Sequence, residues 1–533
     1  MCPATMSATM SATMPVAGFC RLAWAKCRAR VLNERIKESD LTMREPPQYF
    51  VSTKRRCPFF RCVAVFSVAF SLLISTVQVY AVPVSGTGLD ALTVSEAEAL
   101  RDDALTGTKA FQWVENLTTE VGPRLAGSEA EASARAWAVQ ALADFGFDRV
   151  WVESFPLPGW ERGLETGYVV APYPQPLTLT SLGGSVATPE EGVEGDLAIF
   201  TSLQALELAA PGSLEGKIAY VGHAMRSTQS GSHYGYFGRL RREGASIAAS
   251  KGAKALLIRS IGTDSHRMPH TGSMTYDPEQ PKIAAAALSN PDADQIERMA
   301  ARGKVPRVKL LLTPRFLGEV TSGNVIADIR GSVAPEEVVI IGGHLDSWDL
   351  GTGAIDDGAG VGITMEVARR ILSLNKRPRR TIRLILWGAE EVGLLGGKAY
   401  LESRKEHLQH HVIGTESDFG AGRIWQVTSR VSEQAQPVVD LISQLVEPLG
   451  IAPGPGDVAS SGPDLTPMVS VGMPAFRFVQ DGRDYFDLHH TPDDTLDKIA
   501  SQDLDQSVAA YLVFAWLAAN TEINDWGWLP VNN

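Results

Sequence analysis

A chain of 533 residues, 44% hydrophobic and 21% charged, is too long for one compact core and has the composition of an ordinary soluble globular protein. Its net charge of −12 hides an asymmetry: residues 1–81 carry +7 and the rest −19, so the body lacks the basic face that nucleic acid requires. All five cysteines (Cys2, Cys20, Cys27, Cys57, Cys62) lie early. Disulfides and thiolate metal ligands are therefore excluded from residue 63 onward, and any zinc site there must use His, Asp and Glu.

The first 81 residues read as a leader. A basic patch "KRRCPFFR" (54–61) precedes an apolar run "CVAVFSVAFSLLI" (62–74), and "VYA" (79–81) offers small-residue cleavage. This predicts a signal peptide at about 54–81 and a secreted or periplasmic protein; an uncleaved membrane anchor is the alternative. Residues 82–165 begin the body with helices. "SEAEASARAWAVQALADFG" (128–146) has helical apolar spacing with Gly146 as its stop, and "DRVWVESFPLP" (148–158) reads as a strand.

From 166 to 318 the chain turns Gly-, Ser- and Pro-rich. Short strand candidates such as "GDLAIF", "GKIAYVG" and "AKALLIRS" appear, with one helix candidate at 240–253. This predicts a small β-rich insert, whose role the composition leaves open; covering a site and limiting substrate length is one reading. Its histidines (His223, His233, His266, His270) are scattered and read as surface or core residues. From 319 to 533, strands at 336–346, 380–391 and 473–480 alternate with helices at 360–375, 432–450 and 502–520. The pattern predicts an α/β fold, a mostly parallel mixed sheet with helices on both faces, whose ligand site lies at the carboxyl ends of the strands.

Those strand ends carry the chemistry. "GGHLDSWD" supplies His344 and Asp346, "GAIDDGAG" Asp356 and Asp357, "WGAEE" Glu390 and Glu391, "ESDFG" Asp418, and "DYFDLHHTPDDT" His489 and His490. Any one alone reads as a solvated cap. Five converging on one sheet edge leave buried negative charge that needs a cation, and a mixed N/O donor set without Cys suits zinc. The count fits two metals sharing one bridging carboxylate, with an activated water between them and a free carboxylate as its base. Consecutive side chains leave an extended backbone in different directions, so one of Glu390 and Glu391 can bind metal while the other acts as base.

The ordered set "GGHLDSWDLGTGAIDDGAG", "LILWGAEEVGLLG", "ESDFG" and "HHTPDDT" resembles the co-catalytic di-zinc exopeptidases, the family that includes bacterial leucyl aminopeptidases and carboxypeptidase Q; it looks most like the carboxypeptidase Q branch. The resemblance covers roughly 92–165 and 320–520, and the insert is similar to a protease-associated domain. It implies that His344 and Asp418 bind one zinc, Glu391 and His490 the other, and that Asp356 bridges them. It further implies Glu390 as general base, Asp346 as the acid that orients the His344 imidazole, and Tyr485 as a holder of the oxyanion. The implied function is a secreted metallo-exopeptidase, an aminopeptidase or dipeptidase with two Zn2+ per chain acting on dipeptides or short peptides, and a homodimer is allowed. Asp487 departs from the family, standing where carboxypeptidase Q has an aromatic residue.

Blander readings are preferred elsewhere: Asp357 as a helix N-terminal cap, His489 as a structural or rim histidine, and His407, His410 and His411 as a solvated helix end. Trp348 reads equally as pocket wall or packing. Two other functions fit a similar fold, a non-catalytic receptor-like ectodomain without metal and a one-zinc acyltransferase of the glutaminyl cyclase kind.

Overall fold

The computed structural model describes residues 83–456 and 460–529; the leader reading falls outside them. Two eight-stranded sheets organise the described residues. The first runs in the order Ala452–Gly456, Ile424–Arg430, Ala475–Gln480, His411–Glu416, Ala334–His344, Arg380–Trp387, Arg315–Ile329, Arg149–Glu161. Its four middle strands are mutually parallel; the flanking pairs are antiparallel except that the edge strand Ala452–Gly456 runs parallel to Ile424–Arg430.

The central strand is buried on both faces, and its side chains alternate between two cores. Val339 and Ile341 join one with Val508, Leu512 and Trp516 of the helix Ser501–Asn520. Val338 and Ile340 join the other with Trp387, Tyr400, Leu465 and Met468. That closing helix is buried nearly all round. No helix among the described residues is long and apolar enough to cross a membrane.

Local signals set several boundaries. Ser128 accepts a hydrogen bond from Glu131 N to start the helix Glu129–Phe145, and Gly146 ends it at φ 84°. Gly343 and Gly360 have a packing reason. A Cβ on Gly343 would lie 2.6 Å from Asp357 Oδ2, and one on Gly360 would collide with the Ser417 carbonyl. Only bare backbone lets the end of the Ala334–His344 strand meet the start of the helix Ala359–Leu372.

The second sheet, within residues 165–312, runs Gln175–Leu177, Glu165–Ala171, Arg307–Leu312, Val193–Phe200, Ile218–Val221, Ala255–Arg259, Ala284–Leu288, Leu179–Ser181. Four of its strands are parallel, with the helix His233–Ser250 crossing between two of them. The strand Ala284–Leu288 had no signal of its own. Its sequence is "AAAAL", which lacks β-branched residues, and it is a strand because parallel pairing with Ala255–Arg259 buries all five residues.

Gly360→Ala should destabilise the fold by about 1–3 kcal/mol through overpacking at the strand–helix junction. Denaturant unfolding checks this; an unchanged midpoint would show that the junction has room to spare.

Candidate metal centre

The loop after the Ala334–His344 strand is shaped from outside. Arg124, fully buried, donates to the carbonyls of Leu345 at 2.5 Å, Thr352 at 2.7 Å and Gly353 at 2.8 Å. Three buried acids then fix backbone. Asp494 accepts from Ile355 N at 2.6 Å and Asp356 N at 3.3 Å. Asp357 accepts from His344 N and Gly360 N, both at 3.0 Å, which makes it the helix cap the sequence suggested. Asp346 accepts from Glu390 N at 3.0 Å and Glu391 N at 3.3 Å.

That last pair corrects one expectation. Asp346 does not orient His344 through its carboxylate, which lies 3.7 Å from Nδ1. The backbone carbonyl of Asp346 does so, at 2.9 Å, and the side chain holds the two glutamates. The family resemblance placed the right residue near the imidazole, but a local loop turns its carbonyl rather than its carboxylate inward.

On this frame the predicted residues converge. Each oxygen of Asp356 faces a different imidazole: Oδ1 lies 3.1 Å from His344 Nε2, and Oδ2 lies 3.3 Å from His490 Nε2. Asp418 Oδ1 lies 3.8 Å from His344 Nε2, and Glu391 Oε2 lies 3.0 Å from His490 Nε2. Donor atoms of His344, Asp356 and Asp418 all fall within 4.8 Å of one another, as do those of Asp356, His489 and His490. His489 thus sits closer than a rim residue would; its ring stacks on His490 at 3.4 Å, and its Nε2 is 3.5 Å from Asp356.

The donor set fits a cation. Asp356 Oδ2 and Glu391 Oε1 are buried with no hydrogen-bond donor among the described residues. Burial first, and then neighbouring carboxylate charge, pushes Glu390 and Glu391 well above the usual carboxylate range, against the pull of His344. The same effects push Asp418 up to about 6. Asp494 rises to about 7 through burial and the Asp356 charge. Such crowding is costly without positive charge.

A cavity of about 510 Å³ opens over these groups, lined by Glu390, Glu391, Asp418 and Tyr485 and, from the second sheet's side, by Tyr234 and Arg241. The Tyr485 ring stands 5.0 Å from those of Phe419 and His489. Trp348 is buried, 5.7 Å from the His490 ring, and borders a neighbouring apolar cavity of about 350 Å³. Asp487 turns away and accepts from Thr263 Oγ1 at 2.6 Å.

His411 corrects the solvated-cluster reading. It is buried at the start of a strand and bonded to Tyr400 at 2.8 Å, while His407 and His410 are exposed. His223, His233 and His266 lie outside both donor groups. Sequence reasoning missed Arg124 and Asp494. Arg124 sits in "VGPRLAG", and its partners are backbone carbonyls more than 200 residues along the chain, so nothing marked it; Asp494, in "TPDDT", lay four residues past the candidate ligand His490.

The Peptidase family M28 model matches residues 324–515. Carboxypeptidase Q of Bos taurus is 33% identical over 414 residues, spanning 78% of this chain and 86% of that protein. The crystal structure of a Peptidase M28 precursor from Shewanella amazonensis SB2B superposes with a TM-score of 0.80 at 47% identity, covering 82% of this chain and 99% of that one. A zinc aminopeptidase from Bacillus subtilis shares the fold at 20% identity and a TM-score of 0.57, covering 79% and 98%.

The Asp418 value carries a pH signature. An unfolded aspartate loses its proton near ~3.9, whereas folded Asp418 holds it to about 6. Between these limits the folded state binds more protons, so without metal its contribution to stability falls as pH rises. Zinc binds the deprotonated acids, so zinc should oppose that fall. Thermal melting across the window, in chelator and in zinc, measures both; a chelated protein that gains stability from pH ~4 to ~6 would contradict it.

Proposed function

The chain belongs to peptidase family M28, and from that premise we propose that it is a zinc-dependent exopeptidase, an aminopeptidase or dipeptidase acting on dipeptides or short peptides. The observation that carries this reading is Asp356, one carboxylate whose two oxygens face two separate imidazoles. A bridging ligand between two cations needs that geometry. His344 and Asp418 would hold one zinc, and Glu391 and His490 the other. When bound, such ions supply the Lewis acidity that activates water and polarises an amide carbonyl.

The chain's own residues do the rest. Glu390 is half-buried at the cavity wall, with its backbone N fixed by Asp346. Its raised pKa suits a carboxylate that takes a proton from the attacking water and returns it to the leaving amine. Tyr485, which lines the same cavity, would donate to the developing oxyanion. Tyr234 and Arg241 line the cavity from the second-sheet module, which supports short substrates over long ones. The basic-then-apolar pattern of residues 54–81 supports export to the periplasm or outside.

Glu390→Gln should keep both zinc ions and lower kcat by about 10²–10⁴-fold, because only the base is lost. Elemental analysis and dipeptide hydrolysis read the two effects separately; near-normal turnover would end the assignment. His344→Ala and Asp356→Ala should instead lose zinc. In the unaltered protein two zinc ions per chain support the peptidase, one would favour a cyclase-like acyltransferase, and none a receptor-like ectodomain. Hydrolysis should vanish in chelator and return with zinc.

A further inference from the structure

Both candidate histidine ligands are oriented in the same way. His344 Nδ1 lies 2.9 Å from the carbonyl of Asp346, and His490 Nδ1 lies 3.2 Å from the carbonyl of Thr271. A carbonyl only accepts, so the His344 Nδ1 carries the hydrogen and its Nε2 is left to face the acids; the His490 Nδ1 meets both the Thr271 acceptor and a donor, Arg241 Nη1, while its Nε2 faces the acids in the same way. Arg241 Nη1 converges on the same Thr271 oxygen at 3.4 Å, which brings it within 3.3 Å of His490 Nδ1. The difference between the two imidazoles is where the carbonyl comes from. For His344 it is two residues along the same loop. For His490 it comes from the segment that precedes the Ala284–Leu288 strand of the second sheet, 219 residues away.

That contact is one of a series. Thr271 N donates to His490 O at 3.0 Å, and Thr263 N to Phe486 O at 3.0 Å. His270, buried, donates from Nδ1 to His489 O at 2.7 Å, and its Nε2 meets Asp264 Oδ1 at 2.8 Å. Asp264 is held in turn by Asn290 Nδ2 at 2.9 Å and His266 N at 2.8 Å. His490 needs such support, since its φ of 62° is a left-handed conformation that favours glycine.

We propose that His270 and Thr271 are positioning residues for the His490 zinc. The second-sheet module is therefore a working part of that metal site and not only a cover over it. The His344 site, which carries its own orienting carbonyl, does not depend on it. The inference rests on His490 being a zinc ligand.

The test uses the full chain in zinc buffers, with bound zinc read by elemental analysis and the cobalt-substituted protein read by absorption. His270→Ala should keep one metal tightly and need about 10–100-fold more free zinc to fill the second site. His270→Asn, whose amide can replace the Nδ1–H donor, should recover most of that affinity. Ile296→Ala is the control for simple loosening. It removes a core side chain of the module that makes none of these hydrogen bonds, and it should lower the melting temperature while both metals stay. Should His270→Ala not fold, Asp264→Asn loosens the same histidine without opening a cavity and carries the same expectation in smaller measure. Unchanged affinity at both sites in these variants, equal loss at both, or loss of the second metal in Ile296→Ala would overturn the proposal. Fewer than two zinc ions in the unaltered protein would overturn the di-zinc reading, and this one with it.

Discussion

One buried carboxylate between two imidazoles governs this molecule. Asp356 is 4% exposed, and the acids Glu390, Glu391 and Asp418 crowd the same cavity. Burial and like charge raise the proton affinity of Glu390, Glu391 and Asp418, and acceptor atoms of Asp356 and Glu391 are left without donors among the described residues. A fold that tolerates this must supply positive charge and must hold the groups apart while doing so. The donor chemistry, two imidazoles with carboxylates and no thiolate, sets the kind of cation that restores the balance.

The holding is done mainly by other acids. Asp346, Asp357 and Asp494 each take two backbone N–H groups, and together they pin the loops that present Glu390, Glu391, His344 and Asp356. Arg124 clamps the same region through carbonyls. Inner acids face the cavity and outer acids face the backbone. The backbone N–H groups offset part of the cost of the outer carboxylates, while burial and neighbouring acids still hold Asp357 and Asp494 above the usual carboxylate range.

The second sheet enters the same logic. Residues 263–271 bond to the run from Phe486 to His490, and Tyr234 and Arg241 line the cavity. The chain leaves the first sheet after Arg149–Glu161 and returns through Arg315–Ile329, its antiparallel partner. The whole excursion is thereby anchored by a long ladder and is delivered to the ligand loop with little freedom.

Much of this was legible in the sequence. The alternation of apolar strands and amphipathic helices after residue 319, the Gly146 stop, and the acids and histidines at strand ends all follow from local periodicity and side-chain chemistry, which a chain carries wherever it folds. His344, Asp356, Glu391, Asp418 and His490 stood among the candidates because acids and histidines cluster near the ends of locally patterned elements, and the choice of Glu391 over Glu390 and His490 over His489 came from the family resemblance. What the sequence did not carry was whatever depends on a distant partner. "AAAAL" became a strand only by pairing, and His411 went into the core only because Tyr400 met it. Asp346 turned its carbonyl to the imidazole and its carboxylate to the glutamates. The Thr271 carbonyl lies at His490 only in three dimensions, because a backbone oxygen has no identity in the sequence and gains one from its neighbours in space. Local chemistry fixed which residues stand ready to bind; tertiary contact decided how each is aimed.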